Sequence, residues 1–334
     1  MKTWNLFIDG VWQPATEGTT APNFDPSTGQ PFAEVAQASA TDVDRAVQSA
    51  HGAHLRWRRT PPAEREALLL EVARVTERRQ SDIADLLVKE SGCSVGTAMY
   101  QVGYSIESLK SAAGECRRIV GETIPSDVPG LWSMTVREPL GVIAGIAPFN
   151  VPFVLAMNKV DKAVAAGNGF VLKPAEQTPI SGLIIGEIYT EAGAPEGLVN
   201  VVAGGAEAGA ALVEHPKVRM VCFTGSTRTG RAIAEAAGRG LKKVCLEMGG
   251  KSPLLVLADA DLDYAAATAS FGIFNHQGQV CMASSRVIVE APLYEPFCEA
   301  LAGRAAALKV GSPTEPDTVI GPLIFLTTRA RTMP

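Results

Sequence analysis

Between residues 141 and 250 the chain alternates short, continuously apolar runs with stretches of helical spacing, and this alternation restricts the fold more than any other feature. The runs are GVIAGIAP (141–148), GFVLKP (169–174), LVNVVAG (198–204), VRMVCFTG (218–225) and KKVCLEMGG (242–250). Helix-like stretches separate them near 152–167, 178–193, 206–214 and 227–238. A strand that is apolar along its whole length must be covered on both faces, and strands joined through helices run parallel. The expected fold class is therefore α/β, a doubly wound, Rossmann-like parallel sheet. Ligands bind such sheets beyond the carboxyl ends of the strands, where each run here ends in a Pro or Gly turn.

Upstream, 4–35 reads as short strands and turns, with Asp9-Gly10 as a hairpin signal. From Thr41, expected as an N-cap, Val43, Ala46, Val47 and Ala50 follow helical spacing. Further helices are predicted from Pro62 through 79, from a Ser81 cap to a Gly92 stop, and over 96–116. The Pro/Gly-punctuated, strand-rich stretch 118–138 predicts a protruding hairpin, which either associates with another subunit or covers a sheet edge. After 250, PLLVLADADLD, a helix near 261–276, the strand SRVIVE and a helix from about 292 open a second α/β unit with too few strands for an independent layer. The expected division is 1–247 and 248–334.

With 334 residues, 46% apolar, the chain can bury a large core. A net charge of −5 with both signs interspersed gives no basic stripe and argues against nucleic acid. No segment approaches the length of a membrane span, and the N-terminus lacks the apolar core of a signal peptide, so a cytoplasmic protein is expected. The six cysteines form no CxxC pair, which fits reduced thiols, and no metal-ligand cluster is visible.

Several polar residues sit at the strand ends. Cys281, in the small-residue turn GQVCMASSR, is either an inert thiol or a nucleophile. Glu247, in LEMGGKSP, is a paired structural acid or a base with a raised pKa. Asn150, in APFNVPF, is a turn former or a donor to an oxyanion. Lys173 and Glu176 could hold ribose hydroxyls, the carboxylate repelling a 2′-phosphate. Gly225, Ser226 and Gly230, in FTGSTRTG, join a strand to a helix and either form a plain turn or present N–H groups to a pyrophosphate. His276, five residues before Cys281, would be the base of a cysteine hydrolase, although no orienting carboxylate is evident.

The set PFNVPF, AAGNGFVLKPAEQTP, FTGSTRTG, LEMGGKSP and GQVCMASSR, in this order and at these separations, resembles the aldehyde dehydrogenase superfamily from about residue 4 to about 323. The resemblance implies that Cys281 attacks a small-molecule aldehyde and that Asn150 and the Cys281 N–H hold the resulting oxyanion. It further implies that Glu247 activates the water that releases the acid. It puts Lys173 and Glu176 on the adenosine ribose, Gly225 and Ser226 at the phosphates, and Gly205 and Gly209 near the adenine. NAD is favoured by Glu176, with NADP use known beside such a glutamate. On this reading 1–247 is the NAD-binding domain and 248–334 a partial catalytic domain. The wording REPLGVIAGIAPFNVPF and NHQGQVCMASSRV looks most like members acting on benzaldehyde or vanillin.

Three departures stand out. Family members continue well past this C-terminus, into the rest of the catalytic domain and a strand that docks on a neighbouring subunit. FLTTRARTMP also differs from what usually follows GPLI, so a frameshift, a premature stop or an incomplete gene is the expected origin. That makes a homo-oligomer doubtful here and leaves an alternative function, an inactive fragment that retains dinucleotide or partner binding. Asp161 and Lys162 replace small or apolar residues and are expected to share a solvent-facing stripe with Asn158 and Lys159, or to be costly if buried unpaired. Phe149 stands where many relatives have Trp.

Overall fold

A computed structural model describes residues 1–324; the FLTTRARTMP segment lies outside the described residues. The chain begins with five short strands, β1 (Lys2–Trp4), β2 (Leu6–Ile8), β3 (Val11–Gln13), β4 (Thr20–Asp25) and β5 (Gln30–Ala36). β2 and β3 form the expected hairpin, turned by Asp9 and Gly10 at φ of 58° and 79°. Positive φ at both central residues matches the right-handed twist of the strands, and Asp and Gly tolerate it best.

Four helices follow: α1 (Ala40–Trp57), α2 (Pro62–Arg78), α3 (Gln80–Ser91) and α4 (Val95–Glu115). The cap of α1 is Ser39 rather than Thr41. Its side chain accepts from the Asp42 N–H while Asp42 reaches back to the Ser39 N–H, a reciprocal box that starts the helix at Ala40 and puts Thr41 inside its first turn. Ser81 is no cap either, because α3 starts one residue earlier, straight after Arg79. Gly92 ends α3 at φ 68°, as expected of a C-terminal glycine. The hairpin β6 (Thr123–Ile124) and β7 (Ser133–Met134) then protrudes, with Trp132 83% exposed at its turn.

The alternating half gives β8 (Val142–Ile146), α5 (Pro152–Ala165), β9 (Gly169–Lys173), α6 (Pro179–Glu191), β10 (Val199–Val201), α7 (Ala206–Glu214), β11 (Val218–Gly225), α8 (Thr227–Arg239) and β12 (Lys243–Met248). These strands are parallel to one another, and the seven-stranded sheet runs β12-β11-β8-β9-β10-β2-β3. The N-terminal hairpin extends it antiparallel at the β10 edge. β8 and β9 are buried at every position, which is why they read as unbroken apolar runs. A last unit comprises β13 (Pro253–Val256), α9 (Leu262–Phe274), β14 (Arg286–Val289) and α10 (Ala291–Ala306), with the two strands parallel. Its small core of Val256, Ala265, Ala266, Ala269 and Phe297 is separate from the main core.

Asp161 is not on a solvent stripe. It has no exposed surface and turns toward α4, where Ser108 Oγ donates to it at 2.7 Å and Lys162 Nζ lies 3.1 Å away. Burial pushes the carboxyl up from its ordinary range, and the Lys162 ammonium opposes that. The buried charge is therefore partnered.

Candidate active site

From β8 the chain steps outward through β9 to β10, then crosses back to lay β11 and β12 on the other side of β8. The winding thus reverses between β8 and β11. A crevice forms beyond the strand ends at such a point because the connections leave toward opposite sides. Here it is a cleft of about 1230 Å³. It is lined by Ile146 to Asn150 after β8, by Lys173 and Glu176 after β9, by Thr224 to Ser226 and by Met248. The far wall is Gln277 to Cys281.

At the β9 end four of the expected residues share one corner. Lys173 is buried, and its Nζ donates to the carbonyls of Gly204 at 2.6 Å and Pro174 at 3.1 Å. Burial pushes its pKa down, opposed by the Glu176 carboxylate. A Cβ on Gly209 would stand 3.4 Å from Lys173 Cε, and one on Gly205 3.8 Å from Glu176 Oε1. Larger residues at either position would fill the space around the lysine and the carboxylate.

The N-terminus of α8 lines the same cleft as this corner and Cys281. Ser226 caps it, its Oγ accepting from the Thr229 N–H at 3.2 Å, and the positive end of the helix faces the cleft. Gly225 is tight because a Cβ there would meet the Phe223 ring at 2.5 Å. Gly230 does not line the cleft; a Cβ there would lie 2.7 Å from Met248 Sδ, so this glycine lets α8 pack on the end of β12.

Cys281 is exposed, on the turn that follows α9. The approach to it is unusual, because His276 and Gln277 are both left-handed, at φ 51° and 57°. Such positions cost on the order of 1–3 kcal/mol each and persist only where surrounding bonds fix them. Three do so here. His276 Nε2 donates to the Asn150 carbonyl at 2.6 Å, Asn150 Nδ2 donates to the Gln279 carbonyl at 2.7 Å, and Gln277 Nε2 donates to the Gly92 carbonyl at 3.1 Å. His276 is buried, and burial lowers its pKa, so it is neutral at pH 7. With Nε2 committed to Asn150, its Nδ1 is a buried acceptor without a hydrogen-bond partner among the described residues. The ring therefore holds Asn150 rather than the Cys281 thiol, against its role as base of a hydrolase.

Glu247 is placed differently. Side chains alternate along β12, so Met248 turns to the cleft while Glu247 and Cys245 turn to a second hollow of about 1180 Å³. Lys159 lines the same hollow, with Nζ donating to Thr224 Oγ1 at 2.7 Å and the Leu155 carbonyl at 3.1 Å. Burial lowers the pKa of its ammonium, while Cys222, Cys245 and Glu247 nearby offset part of that. Sequence reading missed Lys159 by assigning it to solvent. The available signal was a lysine close behind the apolar run PFVLAM that opens α5.

The Aldehyde dehydrogenase family model matches residues 12–333. A benzaldehyde dehydrogenase of Bacillus subtilis (strain 168) is 41% identical over 95% of this chain and 66% of that protein. A vanillin dehydrogenase of Pseudomonas fluorescens is 39% identical over 96% of the chain and 67% of that protein. The chain thus spans about two thirds of the length of these relatives. Among solved structures, a salicylaldehyde dehydrogenase from Pseudomonas putida G7, complexed with salicylaldehyde, superposes with a TM-score of 0.96 at 36% identity, over 99% of this chain and 69% of that one. An NAD+ complex of aldehyde dehydrogenase from Bacillus cereus does so with a TM-score of 0.96 at 38% identity, over 98% and 68%.

Proposed function

The chain belongs to the aldehyde dehydrogenase family, and on that premise we propose that it oxidises an aromatic aldehyde to the carboxylic acid with NAD, through a covalent adduct on Cys281. The observation that carries the reading is that one cleft is lined together by Cys281, by the Lys173–Glu176 corner and by the α8 N-terminus. That grouping of a thiol, a helix positive end and a ribose-type Lys/Glu pair suits a dinucleotide laid across the switch point. Glycine at 205 and 209 keeps that corner open. The bound nicotinamide would supply a two-electron hydride acceptor.

In this reading the Cys281 sulfur attacks the aldehyde carbon. Asn150 has two amide N–H donors; one is committed to the Gln279 carbonyl, and the other is offered to the new oxyanion with the Cys281 N–H. Loss of hydride from the adduct leaves a thioester on Cys281. Glu247, exposed at the end of β12, then takes a proton from the attacking water after a rotamer change toward the cleft. The segment just after β12 runs beside the Cys281 turn, since a Cβ on Gly250 would be 3.9 Å from the Cys281 carbonyl oxygen. Relatives named for benzaldehyde, vanillin and salicylaldehyde support an aromatic substrate. Glu176 supports NAD over NADP, since it would repel a 2′-phosphate. The separate small core after residue 253 supports a domain division near 247, and a cytoplasmic setting belongs to the same reading. No helix among the described residues is long and apolar enough to cross a membrane.

A second reading, dinucleotide binding without turnover, draws on the facing of Glu247 and Cys281 into different hollows. Absorbance of NADH, with NAD and a panel of aromatic and aliphatic aldehydes, separates the two. Production that disappears in Cys281→Ala supports oxidation. Silence with NAD still bound in calorimetry supports the second reading, and unchanged turnover in Cys281→Ala removes the thiol from the chemistry.

A further inference from the structure

The second hollow carries a thiol pair that the oxidation does not use. In the parallel register of β11 and β12, Cys222 is the direct partner of Cys245, and both side chains line this hollow. Cys245 is exposed and Cys222 half-buried, so the pair is open from the edge of the sheet. Thr224 and Glu247 form the next register pair on the same face. We propose that Cys222 and Cys245 form a dithiol site that chelates trivalent arsenicals.

Geometry separates this from a disulfide. Directly paired residues on neighbouring strands stand about 4.8 Å apart with side chains side by side. A relaxed disulfide needs its Cβ atoms at about 3.5–4.5 Å, so closing one would pull β12 toward β11. A single atom bonded to both sulfurs relaxes that demand: two thiolates on one pyramidal, three-coordinate centre at bonds of about 2.3 Å lie about 3.4 Å apart, against about 2.0 Å in a disulfide. No group of three His, Cys, Asp or Glu is arranged for a metal ion among the described residues, so a centre satisfied by two sulfurs fits better than one needing four ligands.

The chemistry needs no oxidant. An arsenical RAs(OH)₂ loses both As–O bonds as two As–S bonds form, and the thiol protons leave with the hydroxyls as two waters; arsenic stays trivalent. The product is neutral, which suits a half-buried face where burial pushes the Cys222 thiol up to about 11.

The test uses phenylarsine oxide on the whole chain, read by intact mass. One arsenical per chain, added with net loss of one water from the oxide (two from its hydrate), is expected to survive excess glutathione and to be stripped by 2,3-dimercaptopropanol. Two-point capture strengthens binding about 10²–10⁴-fold over a single thiol, so adducts on Cys281 or Cys298 should wash off with glutathione. Cys222→Ala and Cys245→Ser should each lose the resistant adduct, while Cys281→Ser keeps it. Cys245 is on an exposed edge strand, so its serine variant carries the test if Cys222→Ala does not fold. Absence of a glutathione-resistant adduct in the unaltered chain, or its survival in a folded Cys245→Ser, overturns the proposal.

Discussion

Glu90 has no exposed surface, yet four donors converge on its carboxyl: the N–H groups of Ile180 at 2.7 Å and Ser181 at 2.8 Å, the Ser181 hydroxyl, and Asn23 Nδ2 at 2.5 Å. It thereby ties α3 to β4 and supplies the α6 N-terminus with the cap that Thr178 does not provide. Burial pushes its pKa from 4.5 up to about 7, the hydrogen bonds holding back a larger rise. Between those values the folded state holds more proton than the unfolded one, so stability falls as pH rises from about 4.5 through 7, by on the order of 3 kcal/mol. His54 and His276, pushed down by burial, act with the opposite sign, losing stability as pH falls below about 6.5. Urea midpoints from pH 4.5 to 8 for the unaltered chain and Glu90→Gln isolate the carboxyl by difference. The unaltered chain should fall relative to Glu90→Gln as pH rises; parallel profiles would show that Glu90 does not titrate in that window.

Among the elements, α1 lies so close to the start of β9 that a Cβ on Gly169 would sit 2.3 Å from the Ala50 carbonyl oxygen, a backbone atom that cannot step aside. Gly169→Ala should therefore destabilise by about 3 kcal/mol, with α1 displaced from the sheet. Gly52, in the same helix, has nothing within 4 Å of where a Cβ would stand, so Gly52→Ala should stabilise by about 0.5–1 kcal/mol through helix propensity. Urea midpoints moving the same way in both variants would contradict this packing account. Element identity was legible because period and continuity are local: β8 and β9 read as buried strands from the runs VIAGI and GFVL. Facing was less legible. Asp161 goes inward because Ser108 on α4 waits there, and nothing in the helix's own sequence places α4 against it. Glu247 and Met248 alternate by rule, but which of them meets Cys281's cleft depends on how the sheet packs. The Lys173–Glu176 corner was readable because both residues leave one strand end within four positions.

Across the whole molecule the two cores differ greatly in size. The large one runs from Leu6 to Ile233 through helices and the central sheet, whereas Val256, Ala265, Ala266, Ala269 and Phe297 make up the buried part of the other. Cooperative opening follows buried contact, so 253–306 is the low-stability unit among the described residues. Cys281 belongs to that unit by sequence, while Asn150 and Gly92 belong to the large one. The bonds from His276 to Asn150, Asn150 to Gln279 and Gln277 to Gly92 are therefore the cross-ties that hold the thiol's turn on the main body. Hydrogen exchange read by mass spectrometry should find amides of β13, α9 and β14 exchanging well before those of β8 and β9. His276→Ala, which removes one tie and a ring that supports two left-handed residues, should speed exchange across 275–289 and leave β8 and β9 unchanged. Equal acceleration in both regions would mean that His276 supports the whole fold; no acceleration would mean that the turn holds without it.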